Sequence, residues 1–414
     1  MASIWFLSAP LAGHADWGGM LKTAQSLQRR GHDVLWVSQP ALEELIAESG
    51  IPFAAIAETG WHFPPPLPDS AGMSPAEGMF LRYRRALDTW LNEALIPAAV
   101  EAILALANER GTPATFVSDP FLTAAALAAE ALNVPLIAAG WGAGQPLDED
   151  RLYAVQRDLG AISRERIAAL TAHLGLRGIN FSGGAAPFME SPYLHLTYFS
   201  PSWYQGDPPF LPQTEHVGGI VTAPRSPAPE WLSALPPDAP LALITLGSVF
   251  TGDLGFFAWS AQAAARLGMI PLVVIGRLPI TAEDKAKLKA ALPPGTRLLR
   301  WVDYDQVFPR LQVIIHHGGM GTTHRAVIQG LPQVVVPHAA DQRGQARRIA
   351  QAKVGLNLSA HDVRRGQLLP AIRAVTTDRK VAENARALAA EFASLGGVDR
   401  AAERIEMVIK DAGG

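Results

Sequence analysis

The chain is expected to fold as α/β, in two doubly wound domains built on parallel sheets. Three observations predict this. Its 414 residues suffice for two domains of about 200 residues each. The opening stretch reads strand, helix, strand, and a β-α-β start implies parallel pairing. In the second half an apolar run, Val313 to Ile315, passes through three glycines into a stretch that can be helical. A short apolar run of that kind suits a strand buried on both faces.

Composition narrows the classes of function. Hydrophobic residues make up 49% and charged residues 18%, so a large core is available. The 35 basic against 38 acidic residues leave a net charge of −3. That is too near neutral for a nucleic-acid binder, and no long basic run occurs. The absence of cysteine excludes disulfides, a thiol nucleophile and a Cys-zinc site. Ser3 to Leu7 is apolar but short and lacks a basic flank, so it reads as a first strand and not a signal peptide. No apolar run reaches the ~18 residues of a membrane span. A cytoplasmic protein is the expectation, with peripheral membrane contact left open.

Taken in order, Ile4 to Ser8 is the first strand, and Ala9 to His14 is the loop leaving its C-terminal end. Met20 to Arg30 is a helix with Leu21, Ala24 and Leu27 on one face. Gly31 stops it, and Val34 to Val37 is the second strand. Trp61 to Pro68 is too rich in proline for a helix or central strand. It is either an extended connection or an apolar wall that uses Trp61 and Phe63. Pro75 to Asn108 reads as largely helical, with Phe80, Tyr83, Leu87, Trp90 and Leu91 in a stripe that suits core more than pocket. Phe116 to Ser118 is a strand that ends at Asp119-Pro120, and Thr123 to Leu132 is an alanine-rich helix. Leu136 to Ala139 is a strand, and Trp141 lies in the glycine-rich loop beyond it. Leu152 to Leu174 is a helix and Tyr193 to Phe199 a strand. Thr222 to Pro240 holds six prolines and reads as an extended linker.

The second half repeats the alternation. Strands are expected at Leu241 to Leu246, Pro271 to Ile275 and Arg297 to Val302. Helices are expected at Phe256 to Leu267, Ala282 to Leu292, Asn384 to Phe392 and Val398 to Ile409. The run Val313 to Ile315, followed by His316, His317, Gly318, Gly319 and Gly321, leads into a helix, Thr323 to Gln329. Glycines let backbone N–H groups approach phosphate oxygens, and a helix N-terminus adds partial positive charge. His317 stands at the mouth of the turn as a donor, and Thr322 and Thr323 can cap the helix or bond phosphate. Such a turn alone is as often only a tight turn. It is neither a Walker loop nor the dinucleotide fingerprint. Gly330 to Pro337 then reads as turn and strand, with Asp341 and Gln342 beyond it. Ligands bind past strand C-termini in open parallel sheets, and an Asp-Gln pair suits sugar hydroxyls.

His317-Gly318-Gly319-x-Gly321-Thr322 with Asp341-Gln342 resembles the donor motif of family 1 glycosyltransferases. The pairs His316-His317 and Pro332-Gln333 are similar to the bacterial antibiotic and sterol branches. The resemblance implies the GT-B fold, two facing Rossmann-like domains with an interdomain cleft. It divides the chain into an acceptor domain (1–222), a linker (223–240), a donor domain (241–396) and a last helix (397–414) crossing back to the first domain. His14 matches the family's base toward the acceptor hydroxyl, and Asp119 matches the carboxylate that orients it. Their plain alternatives are a loop histidine and a helix cap. Arg30-Gly31-His32 matches a structural turn. On the donor side, the resemblance implies Gly247 and Ser248 against the diphosphate, with a turn serine as the alternative for Ser248. Trp301 and Val302 are the nearest matches to the nucleobase site. His317, Gly319, Gly321, Thr322 and Thr323 would serve the phosphates, and Asp341 and Gln342 the sugar.

The expected function is inverting transfer from a UDP- or dTDP-sugar to a hydroxyl of a small lipophilic acceptor. No essential metal is expected, because the acidic triplets Asp148-Glu149-Asp150 and Asp303-Tyr304-Asp305 read as solvated runs. Trp61, Phe63, Phe80 and Trp141 are the candidate acceptor contacts. Arg325 holds the place where many relatives carry a ribose-reading glutamate. Two rival readings are a nucleotide-sugar epimerase on the same fold and a non-catalytic paralogue that binds nucleotide sugars.

Overall fold

A computed structural model describes residues 1–15, 18–62, 73–145, 154–224, 227–247, 253–276, 280–338 and 341–413. The chain forms two units. Unit 1 comprises Met1–Tyr198, Gly206–Val217 and Val398–Gly414; unit 2 comprises Phe199–Gln205 and Gly218–Gly397.

Unit 1 holds a seven-stranded sheet. Its strands are β1 (Ser3–Leu7), β2 (Asp33–Ser38), β3 (Phe53–Ala55), β4 (Thr115–Ser118), β5 (Leu136–Ala139), β6 (Leu194–Thr197) and β7 (Thr214–His216). The order is β3-β2-β1-β4-β5-β6-β7, with all pairs parallel. Unit 2 holds β8 (Leu241–Thr245), β9 (Ile270–Val274), β10 (Arg297–Leu299), β11 (Leu311–His316), β12 (Gln333–Val335) and β13 (Gly355–Asn357). Their order is β10-β9-β8-β11-β12-β13, again parallel. Helices cover both faces, so central strands are apolar on both sides. β8 sends Ala242 and Ile244 into one cluster and Leu241 and Leu243 into another.

The strand order reverses between β1 and β4 in unit 1, and between β8 and β11 in unit 2. The loops leaving neighbouring strands diverge there and open a crevice at the C-terminal edge. Those four strands deliver His14, Asp119, Gly247 and His317.

Several elements differ from the sequence reading. The long helix is two, Pro75–Trp90 and Ile96–Arg110. The Asn92 side chain takes the Ala94 N–H at 3.1 Å, and Pro97 supplies no N–H to continue the first helix. The strand expected at 297–302 stops at Leu299, leaving Trp301 exposed and Val302 buried in the core. Its neighbour β9 ends at Val274, so residues beyond have no ladder to join. The stretch read as an extended linker contains a helical turn, Glu230–Ser233, with Leu232 and Leu235 buried in unit 2. The helix after the glycine turn starts early, at Met320, with Gly319 as its N-cap. Thr322 and Thr323 therefore sit inside its first turns and do not cap it.

His32 Nε2 lies 3.0 Å from Glu406 in the helix Gly397–Ala412, and Arg30 Nη1 reaches the same carboxylate at 3.0 Å. Ser26 donates to Asp399 at 2.6 Å. These contacts hold the last helix against the helix Met20–Arg29 within unit 1. No helix among the described residues is long and apolar enough to cross a membrane.

Candidate active site

In unit 1, β1 ends at Leu7, and a one-turn helix, Ala12–Ala15, carries His14. β4 lies directly alongside, pairing Leu7 with Ser118, so Asp119 emerges next to that loop. His14 Nδ1 and Asp119 Oδ2 are 2.5 Å apart. Asp119 is fully buried, and its carboxylate also accepts from the Ala9 N–H at 3.1 Å and the Phe121 N–H at 2.7 Å. Three donors thus converge on one buried carboxylate. The His14 ring is oriented with Nδ1–H toward Asp119, which leaves Nε2 as the nitrogen able to take a proton. The Phe121 bond shows that Asp119 tethers its own loop while facing His14.

Aromatic rings surround the imidazole. Trp61 meets His14 edge-on, with ring centroids 5.3 Å apart, and Phe121 lies at 6.1 Å. Phe121 in turn meets Trp141 at 5.8 Å. Of the candidate acceptor contacts, Trp61 and Trp141 therefore belong to one aromatic cluster beside His14. Phe80 sits half-buried on the helix Pro75–Trp90. Phe63 lies outside the described residues.

In unit 2, the His317 ring lies over two glycines. A Cβ on Gly247 would stand 2.7 Å from His317 Cε1, and one on Gly319 would collide with Nε2. Only glycine permits this approach. Burial, and then the charges of His316 and His338, press the His317 pKa down to about 3. His317 is thus a neutral ring at physiological pH. Next to it, burial lowers His316 to about 4. His316 donates through Nε2 to Gln333 Oε1 at 3.0 Å and accepts the Gly318 N–H on Nδ1 at 3.2 Å. This links the double histidine to the Pro332-Gln333 turn and fixes the glycine backbone.

Thr322 and Thr323 are buried. The Tyr304 hydroxyl bonds those of Thr322 and Thr245, and burial raises the Tyr304 pKa. Gly321 lies in the same first turn of the helix Met320–Ile328. Asp341 is the N-cap of the helix Gln342–Gln351. Gln342 is buried and accepts the His338 N–H at 2.8 Å. Trp301 is exposed, while the Val302 side chain is core, so Val302 has only its backbone to present. Ser248 and the triplet Asp148-Glu149-Asp150 lie outside the described residues. In the other triplet, Asp303 accepts the Asp305 N–H at 2.9 Å, and Asp305 pairs with Arg325 at 3.0 Å and accepts from Thr222 at 3.2 Å.

Residues 266–406 match the family described as "Erythromycin biosynthesis protein CIII-like, C-terminal domain". The chain is 23% identical to 4'-demethylrebeccamycin synthase of Lentzea aerocolonigenes, over 99% of this chain and 100% of that one. It is 28% identical to O-mycaminosyltylonolide 6-deoxyallosyltransferase of Streptomyces fradiae, over 92% of each. Its fold is similar to that of spinosyn rhamnosyltransferase SpnG complexed with thymidine diphosphate, with a TM-score of 0.73, 22% identity, and coverage of 98% and 100%. SpnG is also solved with spinosyn aglycone. The chain is a glycosyltransferase of GT-B fold.

Several residues packed around the candidate site residues escaped the sequence reading. Phe121 follows the carboxylate by two positions, a spacing that could have drawn attention to it. Buried His195, its pKa lowered to about 4 by burial, donates from Nδ1 to the Trp141 carbonyl at 3.1 Å. Tyr304 and Thr245 are joined only through the fold, as are His338 and Asp253, whose side chains lie 3.3 Å apart. None of these four carries a local signal, because each partner arrives from a different strand end.

Proposed function

We propose that this glycosyltransferase moves a sugar from a dTDP- or UDP-sugar to a hydroxyl of a small lipophilic acceptor, with inversion. The observation that carries the proposal is the His14–Asp119 pair at 2.5 Å. His14 Nε2 takes the acceptor proton as the oxygen attacks the anomeric carbon. Asp119 keeps the ring oriented and stabilises the imidazolium that forms. A base so placed typically contributes about 10²–10⁴ in rate. The rings of Trp61, Phe121 and Trp141 beside the base suit an apolar acceptor.

The leaving diphosphate is met by donors of the chain. The first turn of the helix Met320–Ile328 supplies N–H groups and the positive end of its dipole. Neutral His317 supplies one N–H and no charge. Asp341 and Gln342 hold the sugar so that the anomeric carbon is correctly presented. A single displacement converts an α-linked donor into a β-linked product. No metal is assigned a role, since Asp303 and Asp305 are engaged as helix cap and ion-pair partner.

The test is direct. The purified protein is assayed for hydrolysis of UDP- and dTDP-sugars, then with a panel of phenols and lipophilic alcohols, and the product's anomeric configuration is read by proton coupling constants. A β-linked product from an α-linked donor is expected. Retention of configuration would overturn the single-displacement mechanism.

A further inference from the structure

We propose that His338 is a positioning residue of the donor site, a cationic clasp that ties the segment bearing Asp341 and Gln342 to Asp253, beyond the Gly247 turn. The inference rests on the donor-site reading above and adds a residue to it. His338 follows β12 by three positions. Its main-chain N–H donates to Gln342 Oε1 at 2.8 Å, so its placement sets that of the Gln342 amide. Its ring contacts two acceptors: Nδ1 lies 2.8 Å from the Val336 carbonyl, and Nε2 lies 3.3 Å from Asp253 Oδ2. Two acceptors, one at each nitrogen, are satisfied together only when both nitrogens carry protons. Asp253 is itself anchored, since its other oxygen accepts the Phe256 N–H at 2.9 Å as N-cap of the helix Leu254–Arg266. The Phe256 ring meets the imidazole edge-on at 5.8 Å.

The surroundings favour the charged form. The bond to Asp253 raises the His338 pKa, and the bond to His338 lowers that of Asp253. The other charged or titratable groups nearby are Arg343, Arg364 and Asp362, which line the same cavity of about 840 Å³, and His317, which burial keeps neutral. Asp362 is occupied by the Ser359 N–H and hydroxyl. The clasp is therefore complete above the depressed pKa of Asp253 and below the raised pKa of His338. It is lost as pH rises through the latter.

A clasp on the sugar-holding segment acts on nucleotide sugars and leaves bare nucleotides alone. The experiment compares wild type, His338→Gln and Asp253→Asn by titration calorimetry with dTDP, UDP and UDP-glucose, at pH 7.5 and 9.5. Donor KM is measured in parallel. The expectation is that dTDP and UDP bind all three proteins within about twofold, whereas UDP-glucose binding at pH 7.5 weakens about three- to fivefold in both variants, as for a partly exposed ion pair. Wild type at pH 9.5 should show the same loss, and the variants should change little between the two pH values. Asparagine still caps a helix, so Asp253→Asn keeps the test open if His338→Gln misfolds. Variants that match wild type toward UDP-glucose, or a wild-type pH dependence that persists in Asp253→Asn, overturn the clasp alone. A wild type that binds no nucleotide overturns the donor reading and the clasp with it.

Discussion

The imidazole of His317 occupies the space that a side chain on Gly247 would need, since a Cβ there would stand 2.7 Å from His317 Cε1. Gly247 also holds φ +73°, a conformation that costs other residues about 1 kcal/mol or more. Gly247→Ala should therefore displace His317 and weaken dTDP binding at least ~10-fold, a loss of about 1.4 kcal/mol. Calorimetry on the variant checks this, with circular dichroism to confirm that it folds. Unchanged affinity would separate His317 from the phosphate site.

His14→Ala should remove transfer by about 10²–10⁴ in kcat and leave dTDP binding intact, because His14 belongs to unit 1 and the glycine turn proposed to hold the diphosphate to unit 2. Asp119→Asn should cost at least ~10-fold in kcat, through the wrong tautomer and lost charge. Asp119→Ala should also lower stability, since the Ala9 and Phe121 N–H groups lose their acceptor. Each such loss costs about 1–3 kcal/mol where the group stays buried. Chemical denaturation and single-turnover kinetics together separate the two effects.

Stability should fall on acidification. His195 and His316 are lowered to about 4 and His317 to about 3, chiefly by burial. Below their ordinary pKa of about 6.5, the unfolded chain binds protons that the folded chain refuses. The stabilisation is whole above that value and is lost as pH falls toward the folded pKa values. Each group contributes a slope of up to about 1.4 kcal/mol per pH unit. Urea midpoints at pH 8, 6 and 5 should decline, and His316→Gln should flatten the decline.

dTDP and UDP should bind within about tenfold of each other, a gap under ~1.4 kcal/mol. Arg325, which the resemblance sets where a ribose-reading glutamate is expected, cannot accept a hydrogen bond and is held by Asp305 at 3.0 Å. Titrating both diphosphates tests this. A hundredfold preference for UDP would assign the 2′-hydroxyl to another residue.

Activity should survive a chelator. Asp305→Asn should change it through Arg325 and with no dependence on added cation. Loss of turnover in EDTA, restored by Mg²⁺ or Mn²⁺, would return the acidic triplets to the site.

Local pattern determined the kinds of element and the likeness of the two halves. Short apolar runs such as Val313 to Ile315, with turn glycines a few residues on, read as buried parallel strands. The spacing of His317, Gly319, Gly321 and Gln342 was likewise open to reading, because glycine and helix-terminus chemistry act within a few residues. Pattern failed where a side chain took over from backbone propensity, as when Asn92 and Pro97 divided one helix in two. It could not show which distant groups meet. His14 and Asp119 are 105 positions apart and Asp253 and His338 are 85 apart. Arg325 found Asp305 across 20 positions. The first pairing follows from sheet order, since β1 beside β4 sets Leu7 against Ser118; the other two join segments that leave strands not adjacent in the sheet, β8 with β12 and β10 with β11. A side chain's partner is whatever another segment of the sheet delivers, and no stretch of sequence carries the order or register of the strands.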